Sequence, residues 1–253
     1  IGFHACVGVT GTLVESQGAG QAVEIVAKEL TLYGATDLEE YPLQAKRQTM
    51  EFLREKAQFR MRTNTFSSVF RIRHGVAFAV NKYFHDRGYY YLHTPIITGN
   101  DAEGAGEMFR VTTLDPATPP LNEEGGVDFN QDFFGKPTNL TVSGQLQAEI
   151  GALALGKVYT FGPTFRAEKS NTSRHLSEFW MIEPEAAFFD LENDMDLAED
   201  FIKFLINFCL DNYLPDLEYL DQRIQQEEKN LPKDKRRPMP LLEMLKFVVE
   251  DDF

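Results

Sequence analysis

The stretch FGPTFRAEKSNTSRHLSEFWMIEPE, residues 161–185, decides the fold of this chain. Its two ends alternate in the manner of β-strands, and the charged loop RAEKSNTSRHLS lies between them. We therefore predict an antiparallel hairpin, with one strand at Val158–Phe165 and the next at Glu178–Phe188.

Strand parity places chemically useful groups on one face of this hairpin, because side chains two residues apart share a face. A guanidinium can hold a phosphate, an aromatic ring can stack on a base, and carboxylates can hold an ammonium group. From the residues alone, solvated strand ends with Phe179 in a core are an equally weighted alternative. The groups expected on or near this face are Arg166, Glu168, Arg174, His175, Phe179, Met181, Glu183 and Glu185.

Working outward, the pattern predicts an α+β fold in which helices flank an antiparallel sheet. The segment from Ala5 to Gly34 alternates as a hairpin, and a charged linker with a helix follows it. Apolar spacing predicts a helix at Thr65–Arg87, ended by Gly88. Further predicted elements are a strand at Tyr89–Leu92, a strand at Asn139–Ser143, a helix over QLQAEIGALALG, a helix at about Asp194–Tyr213, and a charged, proline-rich insertion at about 214–245.

Composition limits the class of protein. The 253 residues, 43% of them hydrophobic, suffice for one large domain or for one domain plus a fragment. Only Cys6 and Cys209 are present, which suits a reducing cytosol, so we interpret the sequons at Asn139 and Asn171 as chance matches and expect a cytoplasmic protein. No stretch approaches eighteen uncharged apolar residues, so we expect no membrane partner.

Charge is unevenly distributed. The net charge is -14, and the segment Glu183–Phe253 holds 19 acidic and 8 basic residues, which places 11 of the 14 net negative charges there. This argues against a protein that coats nucleic acid by electrostatics alone, although a local basic surface is still compatible with the total.

Two other motifs lack the surrounding residues that their functions require. The segment from Gly151 to Lys157 nearly matches a P-loop, but Val158 replaces the hydroxyl residue and a helix precedes the loop where a strand is required. His175 and Glu178 have no second His or Cys at metal-ligand spacing, which excludes a typical zinc site.

The string FRAEKSNTSRHLSEFWMIEPE resembles motif 2 of class II aminoacyl-tRNA synthetases, in the form typical of the asparaginyl enzymes. The stretches HTPIITGNDAEGAGEMFRVTTLD and LTVSGQLQAE occur in the family's order, and the helix before Gly88, with Pro95 beyond it, resembles motif 1. Residues 1–37 resemble the last strands of the anticodon-binding OB barrel, 38–63 a linker, and 64–253 the first part of the catalytic domain. The resemblance is specific as far as about Asp211.

The resemblance implies asparagine activation with ATP and transfer to tRNA(Asn) by a homodimer, with Pro95 at the two-fold interface. Arg166 would grip the α-phosphate as the catalytic residue, Phe179 would stack under adenine, and Glu168 would read the adenine amino edge or the tRNA end. Arg174 and His175 would reach the β- and γ-phosphates. The positions that match the amino-acid pocket are Glu103, Ser143, Gln145, Glu149 and Glu183.

Asparagine is favoured over aspartate because Gln147, Ala148 and Glu149 offer no cation where the aspartyl enzymes place a lysine. Glu149 is our candidate for accepting a hydrogen bond from the substrate amide. Two related enzymes are the alternatives. Trp180 and the missing lysine argue against an aspartyl-tRNA synthetase, and the barrel strands argue against a synthetase-like asparagine synthetase.

The family's motif 3 and the acidic stretch that carries Mg²⁺ do not occur before Phe253. Ile1 also opens inside a strand-like pattern, so we interpret both ends as truncations. We expect the chain alone to be inactive, with the main Mg²⁺ ligands in the missing C-terminal part. A non-catalytic fragment that dimerises or binds tRNA is the alternative for this polypeptide by itself.

Overall fold

The computed structural model describes residues 1–37, 39–44, 46, 48–102, 104, 107–170, 172 and 174–251. The chain forms two compact units, residues 1–71 and 72–253, which are described separately. None of the helices in the described part of the chain is long and apolar enough to cross a membrane.

The first unit contains the expected hairpin. Strand β1 (Cys6–Glu15) pairs antiparallel with β2 (Val23–Gly34), in a register that sets Leu13 opposite Ile25. Both of these side chains are more than half exposed, at 65% and 55%. No third strand among the described residues pairs with the hairpin, so its assignment to a barrel stays a prediction.

The predicted linker contains two short helices, α1 (Met50–Glu55) and α2 (Ala57–Arg60). The hydroxyl of Thr49 accepts a hydrogen bond from the backbone N–H of Phe52 and so caps α1. Helix α3 (Asn64–Asp86) follows, within one residue of the predicted bounds. It ends where Gly88 adopts a φ of +78°, a conformation that glycine adopts without a steric penalty.

Among the described residues of the second unit, nine helices and strands follow α3, apart from two short 3-10 turns. In chain order they are β3 (Tyr90–Tyr91), β4 (Ile97–Thr98), β5 (Arg110–Val111), β6 (Thr138–Leu140), α4 (Gln145–Leu155), β7 (Lys157–Phe165), β8 (Glu178–Ala186), α5 (Leu191–Glu228) and α6 (Leu241–Glu250), with the end of α3 before them.

The hairpin predicted from the opening stretch is confirmed as β7 and β8, which pair antiparallel from Lys157↔Ala186 to Phe165↔Glu178. Strand β3 adds to β7 in parallel, and a separate antiparallel sheet has the order β4-β6-β5. Strand β8 ends earlier than predicted, because Phe188 adopts a φ of +68° that an extended strand cannot contain. The α+β class is confirmed.

An aromatic core joins α3, β7 and α5. Tyr83, Phe84 and Tyr159 are buried, and the Phe84 ring stacks on Tyr159 with centroids 4.6 Å apart. Phe201 and Phe204 of α5 pack against this cluster. Full burial of each large side chain contributes about 1.5 to 3 kcal/mol, so the cluster fixes β7, and with it the hairpin, against the helices.

Helix α5 corrects one prediction, because it continues past Tyr213 as far as Glu228. Tyr213 itself is non-helical, and Pro215, which lacks a backbone donor, follows within the kink. The ring of Tyr213 packs so closely on Gly75 that a Cβ there would lie 2.2 Å from Cε2. The helix was predicted to end at about Tyr213, whereas this position marks a bend held by the contact with Gly75.

Candidate active site

Two cavities adjoin along the predicted face of the hairpin. The loop cavity, about 260 Å³, is lined by Arg166, Glu168, Ser170, Arg174, His175, Leu176, Ser177 and Phe179. The inner cavity, about 250 Å³, is lined by Ala102, Ser143, Gln145, Arg166, Met181, Glu183 and Glu185. Of the described residues, Arg166 alone lines both, so a ligand that fills the two cavities passes this guanidinium.

Arg166 is held at this junction by the hairpin. Its backbone N–H donates to the carbonyl of Ser177 at 3.0 Å, which extends the β7–β8 pairing by one residue. Its guanidinium carbon lies 5.7 Å from the centroid of the Phe179 ring. Its Nε is buried and has no hydrogen-bond partner among the described residues. A buried, unpaired, charged donor is costly, and an anionic ligand would satisfy it.

All five residues predicted to bind a nucleotide line the loop cavity: Arg166, Glu168, Arg174, His175 and Phe179. At the loop tip the Thr172 hydroxyl shares a hydrogen bond with Nδ1 of His175 and accepts one from the N–H of Arg174 at 3.3 Å. Arg174 and His175 are exposed, so their polar ends are accessible from solvent. The cavity combines an aromatic ring with two arginines and a histidine.

In the inner cavity, three donors hold the carboxylate of Glu183. The Ser143 hydroxyl donates to Oε1, the Gly144 backbone N–H donates to Oε2 at 3.1 Å, and the Thr160 hydroxyl donates to Oε2 at 2.8 Å. Gly144 is packed closely against two threonines. A Cβ at this position would lie 2.8 Å from the Thr94 hydroxyl oxygen and 3.0 Å from Thr160. A carboxylate that accepts from three donors is fixed in orientation.

Two residues that contact Glu183 or line this cavity were missed. Thr160 was not predicted because its role depends on the strand register, which sets it directly opposite Glu183. Glu185 was placed on the correct face by strand parity but was left out of the predicted amino-acid pocket. Burial raises the pKa of Glu185, and the negative charges of Glu149, Glu183 and Asp194 raise it further. Two carboxylates in one cavity attract a cation such as an ammonium group.

The other predicted pocket residues differ in whether they line the inner cavity. Gln145 lines the inner cavity and donates from Nε2 to Oε1 of Glu149 at 3.0 Å, one turn along α4. Glu149 is exposed and does not itself line the cavity, so it contacts the site through Gln145. Glu103 lies outside the described residues. The roles proposed for Glu103 and Glu149 stay predictions.

No metal centre is formed by the described residues, since nowhere among them do three or more His, Cys, Asp or Glu side chains converge. The expectation that Mg²⁺ ligands belong to other parts of the protein is left as a prediction.

Comparison with known proteins identifies the class. The family model described as tRNA synthetases class II (D, K and N) matches residues 49–243. The match covers well over half of the sequence, and the chain belongs to this family of class II synthetases.

Individual relatives show which members of the family this chain is similar to. The asparagine–tRNA ligase of Porphyromonas gingivalis is 55% identical over 249 residues, which cover 98% of this chain and 50% of that protein. That of Cytophaga hutchinsonii is 56% identical over 249 residues, 98% of this chain and 51% of that protein. The chain therefore spans about half the length of these relatives.

Solved structures agree on the fold. Asparaginyl-tRNA synthetase from Pyrococcus horikoshii, complexed with asparaginyl-adenylate, matches with a TM-score of 0.71 and 25% identity over 85% of this chain and 45% of that one. A putative aspartyl-tRNA synthetase from Leishmania major matches with a TM-score of 0.66 and 18% identity over 88% of this chain and 42% of that one. The second likeness concerns the fold alone.

Proposed function

We propose that the whole protein containing this sequence is an asparagine–tRNA ligase, which activates asparagine with ATP and transfers it to tRNA(Asn). The observation that carries the proposal is the position of Arg166 in the wall shared by the loop cavity and the inner cavity. The first cavity suits a nucleotide and the second suits an amino acid, so the bond between them forms beside this guanidinium.

In the proposed first step, an oxygen of the asparagine carboxylate attacks the α-phosphorus of ATP in line. The bond from that phosphorus to the oxygen bridging to the β-phosphate breaks, and pyrophosphate leaves with the electron pair. Arg166 donates to the α-phosphate, whose negative charge is concentrated in the transition state. In the second step a hydroxyl of the terminal adenosine of tRNA attacks the carbonyl, and AMP leaves.

The loop cavity supports the nucleotide assignment through three groups. Phe179 offers its ring to adenine on the side that also carries the Arg166 guanidinium, 5.7 Å away. Arg174 and His175 line the same cavity and would reach the β- and γ-phosphates. Glu168, exposed at the rim, is available for the adenine amino edge or the tRNA end. No side chain acts as a nucleophile, since positioning and charge stabilisation supply the rate enhancement.

The inner cavity supports the amino-acid assignment. Glu183, fixed by its three donors, accepts from the substrate ammonium, and Glu185 adds negative charge to the same cavity. No lysine or arginine other than Arg166 lines the cavity among the described residues, so a second carboxylate on the substrate has no dedicated partner. An amide, by contrast, meets neutral Gln145 and the carboxylate of Glu149 behind it.

The wider assignments belong to the same proposal. The hairpin of β1 and β2 forms part of an anticodon-binding OB barrel, which is supported by its exposed apolar side chains, since a lone hairpin is marginally stable in water. The protein is a cytoplasmic homodimer that uses ATP with Mg²⁺, with α3 and Pro95 at the two-fold interface. Phe78 of α3, 58% exposed in this chain, supports that interface.

The test is pyrophosphate exchange into ATP by the whole protein, without tRNA. Asparagine should drive exchange and aspartate should not. Equal exchange with the two amino acids would overturn the assignment of asparagine, and no exchange with either would overturn the ligase assignment. Sedimentation at micromolar concentration tests the dimer separately.

A further inference from the structure

A short basic segment interrupts the most acidic part of the chain. The basic loop, residues 229–237 with the sequence KNLPKDKRR, contains five basic residues and one acidic residue. The rest of Glu183–Phe253 contains 18 acidic and 3 basic residues. Every residue of the basic loop is exposed, and none of them lines the loop cavity or the inner cavity. The charge reversal is therefore local and faces solvent.

The basic loop is held in a defined conformation by its two arginines. Arg236 donates from Nε to the carbonyl of Leu231 at 2.8 Å and from Nη2 to that of Lys229 at 3.0 Å. Arg237 pairs through Nε with Oε1 of Glu228, at the end of α5, at 3.3 Å. Both guanidinium groups thus fold the segment back on itself and onto α5.

The C-terminal end of the segment is also anchored. Asp221 on α5, only 6% exposed, accepts from the backbone N–H of Leu241 at 2.8 Å and thereby fixes the first residue of α6. Prolines at 232, 238 and 240 restrict the backbone between the helices. A loop fixed in this way loses little conformational entropy when a partner binds.

The three lysines are left available. Lys229, Lys233 and Lys235 are exposed, and within the part of the chain that the structure describes no ion pair or side-chain hydrogen bond involves any of them. Lysine ammonium groups are compact charges that contact phosphates without base-specific geometry. Three such charges on a rigid loop suit a row of phosphates better than a single small anion.

We propose that the basic loop binds the sugar-phosphate backbone of RNA, and that Lys229, Lys233 and Lys235 provide the contacts. The inference rests on the proposed function insofar as the RNA is the tRNA substrate. It goes beyond that function because it assigns a docking surface outside both cavities. Arg236 and Arg237 position the loop, and the lysines contact the phosphates.

The test uses the whole protein with Lys229, Lys233 and Lys235 all changed to Ala, beside the control Lys246→Ala. Lys246 is an exposed lysine on α6, outside the basic loop. Affinity for tRNA is measured by fluorescence anisotropy over a range of salt concentrations. Each lost phosphate contact reduces the slope of log affinity against log salt by about 0.7 to 0.9, so for three contacts we expect a total reduction of about 2 to 3 and a loss of at least tenfold in affinity at 0.15 M salt.

The same loss should be found with an unrelated RNA, because phosphate contacts carry no sequence information. Asparagine-dependent pyrophosphate exchange should match the parent, which also shows that the variant is folded. Unchanged tRNA affinity and salt slope in the triple variant would overturn the proposal while leaving the proposed function intact. A variant that instead becomes monomeric with parental tRNA binding would assign the loop to a second copy. Absence of exchange in the parent would refute the proposed function, and the RNA measurement would still decide the basic loop.

Discussion

Replacing Thr160 with valine removes one of the three donors to Glu183 and keeps the volume of the side chain. Thr160 is 2% exposed, and its hydroxyl lies 2.8 Å from Oε2 of Glu183. A hydrogen bond to a charged group is worth about 1.5 to 3 kcal/mol. Because Ser143 and Gly144 still donate to the same carboxylate, we expect a loss around or just below the lower end of this range, about 1 to 2 kcal/mol.

That loss corresponds to a fall of about 5- to 30-fold in kcat/KM for asparagine in pyrophosphate exchange, with the KM for ATP changed by less than about twofold. Thr164→Val is the matched control. Thr164 lies on the same strand, is equally buried, and donates to the backbone carbonyl of Phe179 instead of to the site carboxylate. Parental kinetics for asparagine in a folded Thr160→Val protein would refute the role of the three-donor arrangement.

Three further predictions concern other parts of the molecule. Phe179→Ala should raise the KM for ATP by about 5- to 30-fold through the loss of about 1 to 2 kcal/mol of stacking, with little change in the KM for asparagine, and steady-state exchange kinetics measure both. The pKa of Glu185 is raised in the folded protein, so ionisation of this group lowers the free energy of unfolding as the pH rises above about 4.5. Glu185→Gln should remove this loss, and chemical denaturation should give parent and variant the same free energy of unfolding below that pH. Asp200→Ala should destabilise the fold by about 1 to 2 kcal/mol in urea denaturation, since Tyr83 and Arg87 both donate to this carboxylate, and a parental midpoint would contradict it.

Periodicity was a sound guide to the faces of the hairpin. A strand has a period of two, so the sequence alone placed Phe179, Met181, Glu183 and Glu185 on one side, and all four line the two cavities. Helix α3 was predicted equally well from the sequence, because its apolar residues have helical spacing and Gly88 marks its end.

Contacts between distant segments could not be predicted from local pattern. The donation from Thr160 to Glu183 depends on the register between β7 and β8, which alternation alone does not specify. The bend in α5 depends on Tyr213 packing against Gly75, 138 positions earlier in the chain, so the helix was predicted to end at about Tyr213 although it continues to Glu228. Glu149 was predicted to read the substrate amide, and local pattern could not show that its side chain accepts from Gln145 and does not line the inner cavity.

The most direct test of the central claim, that the bond between nucleotide and amino acid forms at Arg166, is pyrophosphate exchange by the whole protein carrying Arg166→Ala. Arg174→Ala is the comparison, because Arg174 lines the loop cavity only. We predict that Arg166→Ala lowers kcat/KM for ATP and for asparagine by at least about 10²-fold, through a lower kcat, since an α-phosphate contact strengthens in the transition state. Arg174→Ala should mainly raise the KM for ATP. Exchange at the parental rate by a folded Arg166→Ala protein would contradict the account.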